Sequence, residues 1–209
     1  MPTARELFNE KRGSTVVKAL KSRRFDAWYC ATKEEALTLA LSLIPEGATI
    51  SWGGSESIHE IGLSAAVKAG PYEVWDRASA PDPMAVAYKA LTADWYLTSA
   101  NAISEDGELV NVDGNGNRVA AMIFGPKNVL VVAGMNKVVR SQADAVTRAR
   151  TIAAPYNMQR CQKNTPCNVT GCCADCKSPD CICNQILITR GTRVPGRVKI
   201  ILVGEDLGF

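Results

Sequence analysis

The stretch Ala48-Thr-Ile-Ser-Trp-Gly-Gly-Ser-Glu-Ser-Ile-His-Glu-Ile-Gly-Leu-Ser-Ala-Ala-Val-Lys-Ala-Gly-Pro-Tyr-Glu-Val-Trp75 decides the fold. Ala48–Trp52 is a β-branched and aromatic run, the composition of a strand. Gly53-Gly54-Ser55 is a tight turn, and Glu56–Ala69 is a helix closed by Gly70. Tyr72–Trp75 is the next strand. Strand, helix and strand at this spacing form a βαβ unit, whose crossover makes the two strands parallel.

The same grammar extends in both directions. Upstream, Ala4–Arg24 is a charged helix with Leu7, Val16, Val17 and Leu20 on it, with an interruption expected near Gly13-Ser14. Phe25–Ala31 is a strand, and Thr32 caps a helix running to Ile44 with an acidic first turn. Downstream, Asp82–Ala93 is a helix with Pro83 in its first turn, followed by the strand Asp94–Ser99. A short strand is expected at Leu109–Val112 and a buried one at Asn128–Ala133. A helix over Lys137–Ala154 should expose Arg140, Arg148 and Arg150. Strands at Gln185–Thr189 and Val198–Val203 close the chain. The fold class is α/β, a mainly parallel sheet with flanking helices, formed by one domain over 1–209. It carries an N-terminal helical segment at 1–24 and a cysteine-rich insertion at 158–184.

Composition bounds the function. The chain has 209 residues, 46% apolar and 22% charged, the proportions of a globular protein. A net charge of +3 supplies no basic stripe, which argues against a nucleic-acid partner. Met1-Pro-Thr-Ala-Arg-Glu6 has charge and no apolar run behind it, so a secretory signal is not expected, and no run is long enough to insert in a membrane. A cytoplasmic location follows as the expectation, where thiols stay reduced.

That location sets the reading of the cysteines. Seven of eight lie in Cys161-x5-Cys167-x4-Cys172-Cys173-x2-Cys176-x4-Cys181-x-Cys183, and Cys30 stands apart. Cys173-x2-Cys176 lets one turn offer two sulfurs to one metal. The only histidine, His59, is distant, so an all-sulfur site is expected. Spacing alone leaves three readings open: an iron–sulfur cluster, of which 4Fe-4S is the form favoured, a structural zinc, and unligated thiols or disulfides.

Three other motifs carry chemistry. Gly53, Gly54 and Ser55 turn a strand into a helix and present amide groups to an anion, or simply form a tight turn. Asp113-Gly-Asn-Gly-Asn-Arg118 offers a nest of N–H groups for an anion, with Arg118 as its counter-charge; the alternative is a hairpin between strands at Leu109 and Ala120. Glu105 and Asp106 follow an expected strand end, where a carboxylate can act as nucleophile or base, or merely shape a turn.

The residues Ser51–Gly62, Ser99–Pro126 and Thr165–Asn184 closely resemble the lactate-utilisation (LUD) domain family, the last in its cysteine-bearing branch. The resemblance implies a fold of the NagB/RpiA/CoA-transferase-like superfamily (RpiA being ribose-5-phosphate isomerase). It implies an accessory redox protein of lactate or related organic-acid utilisation, working with other subunits of an organic-acid oxidising system. It places ligands over the loops at Gly53, Gly54 and Ser55 and at Glu105, Asp106 and Gly107. Beside that implication, Asn101, Asp113, Asn115, Asn117 and Arg118 are candidate contacts to an anionic small molecule. The branch pattern maps onto Cys167, Cys173, Cys176 and Cys183 as metal ligands. The chain departs from it by carrying Cys172 and Cys181 where basic residues are common. Two other functions remain open: an enzyme on a phosphorylated, nucleotide or CoA-linked molecule, and a non-catalytic scaffold with structural zinc. An exposed sheet edge is compatible with a homodimer.

Overall fold

The computed structural model describes residues 1–209. In chain order the elements are α1 (Ala4–Ser22), β1 (Asp26–Cys30), α2 (Lys33–Leu43), β2 (Thr49–Trp52), α3 (Glu56–Glu60), α4 (Leu63–Ala69), β3 (Glu73–Trp75), α5 (Pro83–Lys89), β4 (Trp95–Thr98), β5 (Ala102–Ser104), β6 (Leu109–Asp113), α6 (Asn117–Ile123), β7 (Asn128–Gly134), β8 (Val138–Val139), α7 (Gln142–Arg148), α8 (Ala154–Cys161), α9 (Pro166–Thr170), β9 (Gln185–Thr189) and β10 (Val198–Val203).

Six strands form one parallel sheet in the order β1-β10-β7-β4-β2-β3. Its central strands are buried on both faces, as parallel strands covered by helices must be. One face packs Ile50, Trp52, Leu97, Leu130, Val132 and Ile201 against α2, α3 and α4. The other packs Val129, Val131, Ile200 and Leu202 against Val16 and Leu20 of α1 and the flanking small sheet. Helix starts are set as their sequences dictate: Thr32 accepts from the Glu35 amide at 3.3 Å, and Asp82 accepts from Met84 and Ala85 at 3.0 Å.

Several expectations are corrected. Helix α1 is unbroken at Gly13; a Cβ there would collide with the Tyr29 ring, so the glycine serves close helix–sheet packing. The helix expected over 56–69 is two helices, parted where Gly62 takes a φ of +78°. A second, four-stranded sheet in the order β8-β5-β6-β9 joins Ala102–Ser104 to the closing strand at Gln185–Thr189. The residues around Ala120 lie in helix α6, not in a strand. Lys137 ends a 3-10 turn, and helix begins only at Gln142 behind its Ser141 capping box. Arg148, expected on the exposed face, is 8% exposed and donates to the carbonyls of Asn136 and Asn101. No helix is long and apolar enough to cross a membrane.

Candidate functional site

Because the six strands are parallel, their carboxyl ends share one edge of the sheet. Adjacent strands β2, β4 and β7 deliver Gly53-Gly54-Ser55, Ser99 and, after one short turn, Lys137 to that edge. A cavity of about 500 Å³ opens there. All eight residues expected to contact an anion line it: Gly53, Gly54, Ser55, Asn101, Asp113, Asn115, Asn117 and Arg118. Arg77, Lys137, Arg160 and Lys163 also line it, against the carboxylates of Glu56, Asp113 and Asp180.

The two glycine turns differ in what their amides do. Gly53, Gly54 and Ser55 donate to no backbone or side-chain acceptor, and the buried Ser55 hydroxyl has no partner. This turn is therefore ready for a ligand's oxygens. The nest at Asp113–Arg118 is already filled. The Asp113 carboxylate accepts from the amides of Asn115 (3.1 Å), Gly116 (3.0 Å), Arg118 (3.0 Å) and Val119 (3.2 Å). Asp113 thus caps α6 with its own side chain, and no free nest is left for an outside anion. Arg118 is committed too, donating to the Asn101 amide oxygen at 2.8 Å and the Val112 carbonyl at 2.6 Å. These residues frame the cavity more than they bind through it.

Lys137 was not singled out by the sequence. It is 4% exposed, and its Nζ donates to Ser57 Oγ at 2.9 Å and Ser99 Oγ at 3.0 Å. Burial, with Arg148 and Arg118 nearby, pushes the amine down to about 7. His59, by contrast, lies outside the cavity, with its Nδ1 2.6 Å from Ser64 Oγ.

Glu105 and Asp106 are not brought to the cavity. They follow β5, which belongs to the small mixed sheet, so the carboxyl-edge rule of the parallel sheet does not reach them. Glu105 is clamped by Arg12 at 2.9 Å and Arg140 at 2.7 Å, bonds that hold its carboxyl below the usual range.

The cysteine segment folds over the same edge. A second, small chamber of about 50 Å³ is lined by Cys167, Cys173, Cys176, Cys181 and Cys183 with Ala154, Pro155 and Met158. All four expected metal ligands are in it, with Cys181 as a fifth thiol. Cys161 faces the large cavity instead, Cys172 is exposed, and Cys30 is buried in the core. Cys183 is pushed up to about 12 by burial and by the nearness of Cys181, Cys173 and Cys167. A thiol held up by burial in an apolar hollow suits a cation that would reverse this penalty. No three Cys, His, Asp or Glu side chains are drawn together closely enough to hold a single ion; a tetrahedral zinc site would set its sulfurs about 3.8 Å apart. The Cys183 amide lies 3.4 Å from Cys181 Sγ, and Thr165 Oγ1 lies 3.3 Å from Cys167 Sγ, contacts of the kind that tune metal thiolates.

The two hollows share a wall formed by Ala154, Cys181 and Ile182. Gly114 makes the contact feasible: a Cβ there would be 3.2 Å from Ile182 Cα. Asn184 ties the segment down by donating to the Gly114 carbonyl at 3.0 Å.

The fold and site define an α/β protein with a cationic cavity at the carboxyl edge of a parallel sheet and a thiol-lined chamber beside it. The chain belongs to the LUD domain family, whose sequence signature matches residues 14–203. A DUF162 family protein of Deinococcus radiodurans has a similar structure, with a TM-score of 0.53 and 13% identity, covering 97% of this chain and 99% of that one. Ribose 5-phosphate isomerase A of Methanocaldococcus jannaschii matches at a TM-score of 0.35 and 16% identity over 54% of this chain and 56% of that one. The beta subunit of eIF2B from Chaetomium thermophilum matches at 0.39 and 11% over 54% and 44%. No functionally curated protein matches.

Proposed function

We propose that the chain is an accessory redox protein of lactate or related organic-acid utilisation, holding an iron–sulfur cluster beside a bound organic anion. The observation that carries this reading is the wall common to the two hollows, Ala154, Cys181 and Ile182. Cys167, Cys173, Cys176 and Cys183 are the thiolates that would hold the cluster, with Cys181 the reserve ligand. A cluster so held supplies one-electron transfer at a potential set by its surroundings.

The protein's own residues do the rest. The unpartnered amides of Gly53, Gly54 and Ser55 bind the anion's oxygens, while Arg77 and Lys163 supply positive charge around it and Arg160 is held by Glu56. Asp113 and Arg118 hold the cavity wall in shape through the bonds described above. Ile182 and Ala154 keep the shared wall apolar. Other subunits of an organic-acid oxidising system are the electron partners this arrangement calls for.

The test is iron, acid-labile sulfide and zinc analysis of anaerobically purified protein, with its visible spectrum. Brown protein containing iron and sulfide is the expected result. Colourless protein with stoichiometric zinc overturns the reading.

A further inference from the structure

Lys137 is the one buried amine on the cavity wall, and no carboxylate neutralises it. Its two direct partners are hydroxyls, Ser57 Oγ at 2.9 Å and Ser99 Oγ at 3.0 Å, and these lie 3.2 Å from each other. The charged groups facing it are Arg148 on α7 and Arg118 on α6, which disfavour its proton, and Glu60 on α3, which favours it. Glu60 also accepts from the Gly208 amide at 2.8 Å. An amine buried beside cations, without a counter-ion, is available as a neutral nucleophile near pH 7. The same cavity presents the unpartnered amides at Gly53–Ser55, which suit a carboxylate.

We propose that Lys137 is a nucleophilic amine that captures the carbonyl group of a small 2-oxo acid as an imine. This rests on the reading of the cavity as an organic-anion site, though not on the cluster. The Nζ lone pair attacks the carbonyl carbon and forms a C–N bond. The carbonyl oxygen takes up protons and leaves as water, and C=N replaces C=O. Ser57 and Ser99 pass the protons between Nζ and the departing oxygen. No oxidant or reductant is consumed. The acid's carboxylate sits on the amides of the Gly53–Ser55 turn.

The experiment treats the full chain with pyruvate and sodium cyanoborohydride, then maps the reduced adduct by mass spectrometry of peptides. One adduct per chain at Lys137 is expected, forming at least tenfold faster than at any other lysine. Its rate should rise through neutral pH, whereas exposed lysines react only as pH approaches about 10. Inorganic phosphate should slow it. Labelling that is no faster at Lys137 than at the exposed Lys127 or Lys163 overturns the proposal, whatever the iron content. Lys137→Arg removes the nucleophilic amine and should abolish the adduct; should it fail to fold, the site map of the unaltered chain decides alone. If phosphate raises the melting temperature but Lys137 stays unlabelled, the imine is overturned and the anion site stands.

Discussion

The two hollows beside the carboxyl edge of the sheet touch along Ala154, Cys181 and Ile182, yet their linings oppose each other. The larger is walled by arginine, lysine and free amides and suits an organic anion. The smaller is walled by thiols and apolar side chains and suits a metal core that thiolates can enclose. The contrast teaches that proximity, not similarity, links them: each supplies what the other lacks. The cysteine segment is consequently not an appendage. It supplies part of the large cavity's lining through Pro179, Asp180, Cys181, Ile182 and Asn184.

That contrast can be broken from either side. The largest effect is expected from Cys173→Ser or Cys176→Ser, which should remove most of the bound iron, since a cluster seldom survives loss of a thiolate. Phosphate affinity, read by calorimetry, should fall in the same variants because the Cys181–Ile182 wall is no longer held. Retained iron would mean that these are not ligands. Next comes Asp113→Ala, which strips partners from the amides of Asn115, Gly116, Arg118 and Val119. A loss of about 2–4 kcal/mol in denaturant unfolding is expected, from buried donors left unsatisfied.

Gly54→Asp should act on the cavity alone. The new Cβ meets only the flexible Arg160 guanidinium, at 3.1 Å, so the fold survives. The added carboxylate should cut phosphate affinity by about tenfold or more, a penalty of like charge at a desolvated site, with iron content unchanged.

Lys137→Met probes the buried amine through pH. The folded state holds this group near 7 while the unfolded chain holds it near its ordinary 10.5, so the unfolded state binds more protons between those values. The native lysine therefore costs stability fully below pH 7, and the cost fades as pH rises toward 10. The variant should gain most in melting temperature over the native chain at pH 6 and least at pH 10. A gap that does not change with pH would contradict the burial argument. Smallest of all is Glu105→Gln, which weakens the contacts to Arg12 and Arg140 and should cost about 1 kcal/mol or less, leaving both hollows as they are.

Much of this was legible in the sequence, because it is written in local chemistry. The βαβ grammar located the main strands, Thr32 and Asp82 marked helix starts, and the glycine turn after β2 pointed to the carboxyl edge. What was not legible depends on distant partners. Ala102–Ser104 is three residues long and becomes a strand only through β6 and β8. The turns at Gly53–Ser55 and Asp113–Arg118 look alike as strings, but only the fold shows that Asp113 consumes the second one's donors. Lys137 reads as a helix start until Ser57 arrives from helix α3 and Ser99 from the end of β4. Glu105 looked catalytic because its strand was taken to belong to the parallel sheet. The cysteine spacing marked the segment, and Cys167, Cys173, Cys176 and Cys183 do line one chamber together with Cys181, but its contact with the cavity comes from Gly114 admitting the Ile182 backbone.

The most direct test of the account is electron paramagnetic resonance of anaerobic, dithionite-reduced protein, recorded with and without pyruvate. A reduced iron–sulfur signal whose shape changes when pyruvate occupies the adjacent cavity is the predicted result. Protein with no iron signal, or with a signal indifferent to saturating pyruvate, would contradict the claim that the two hollows work as one site.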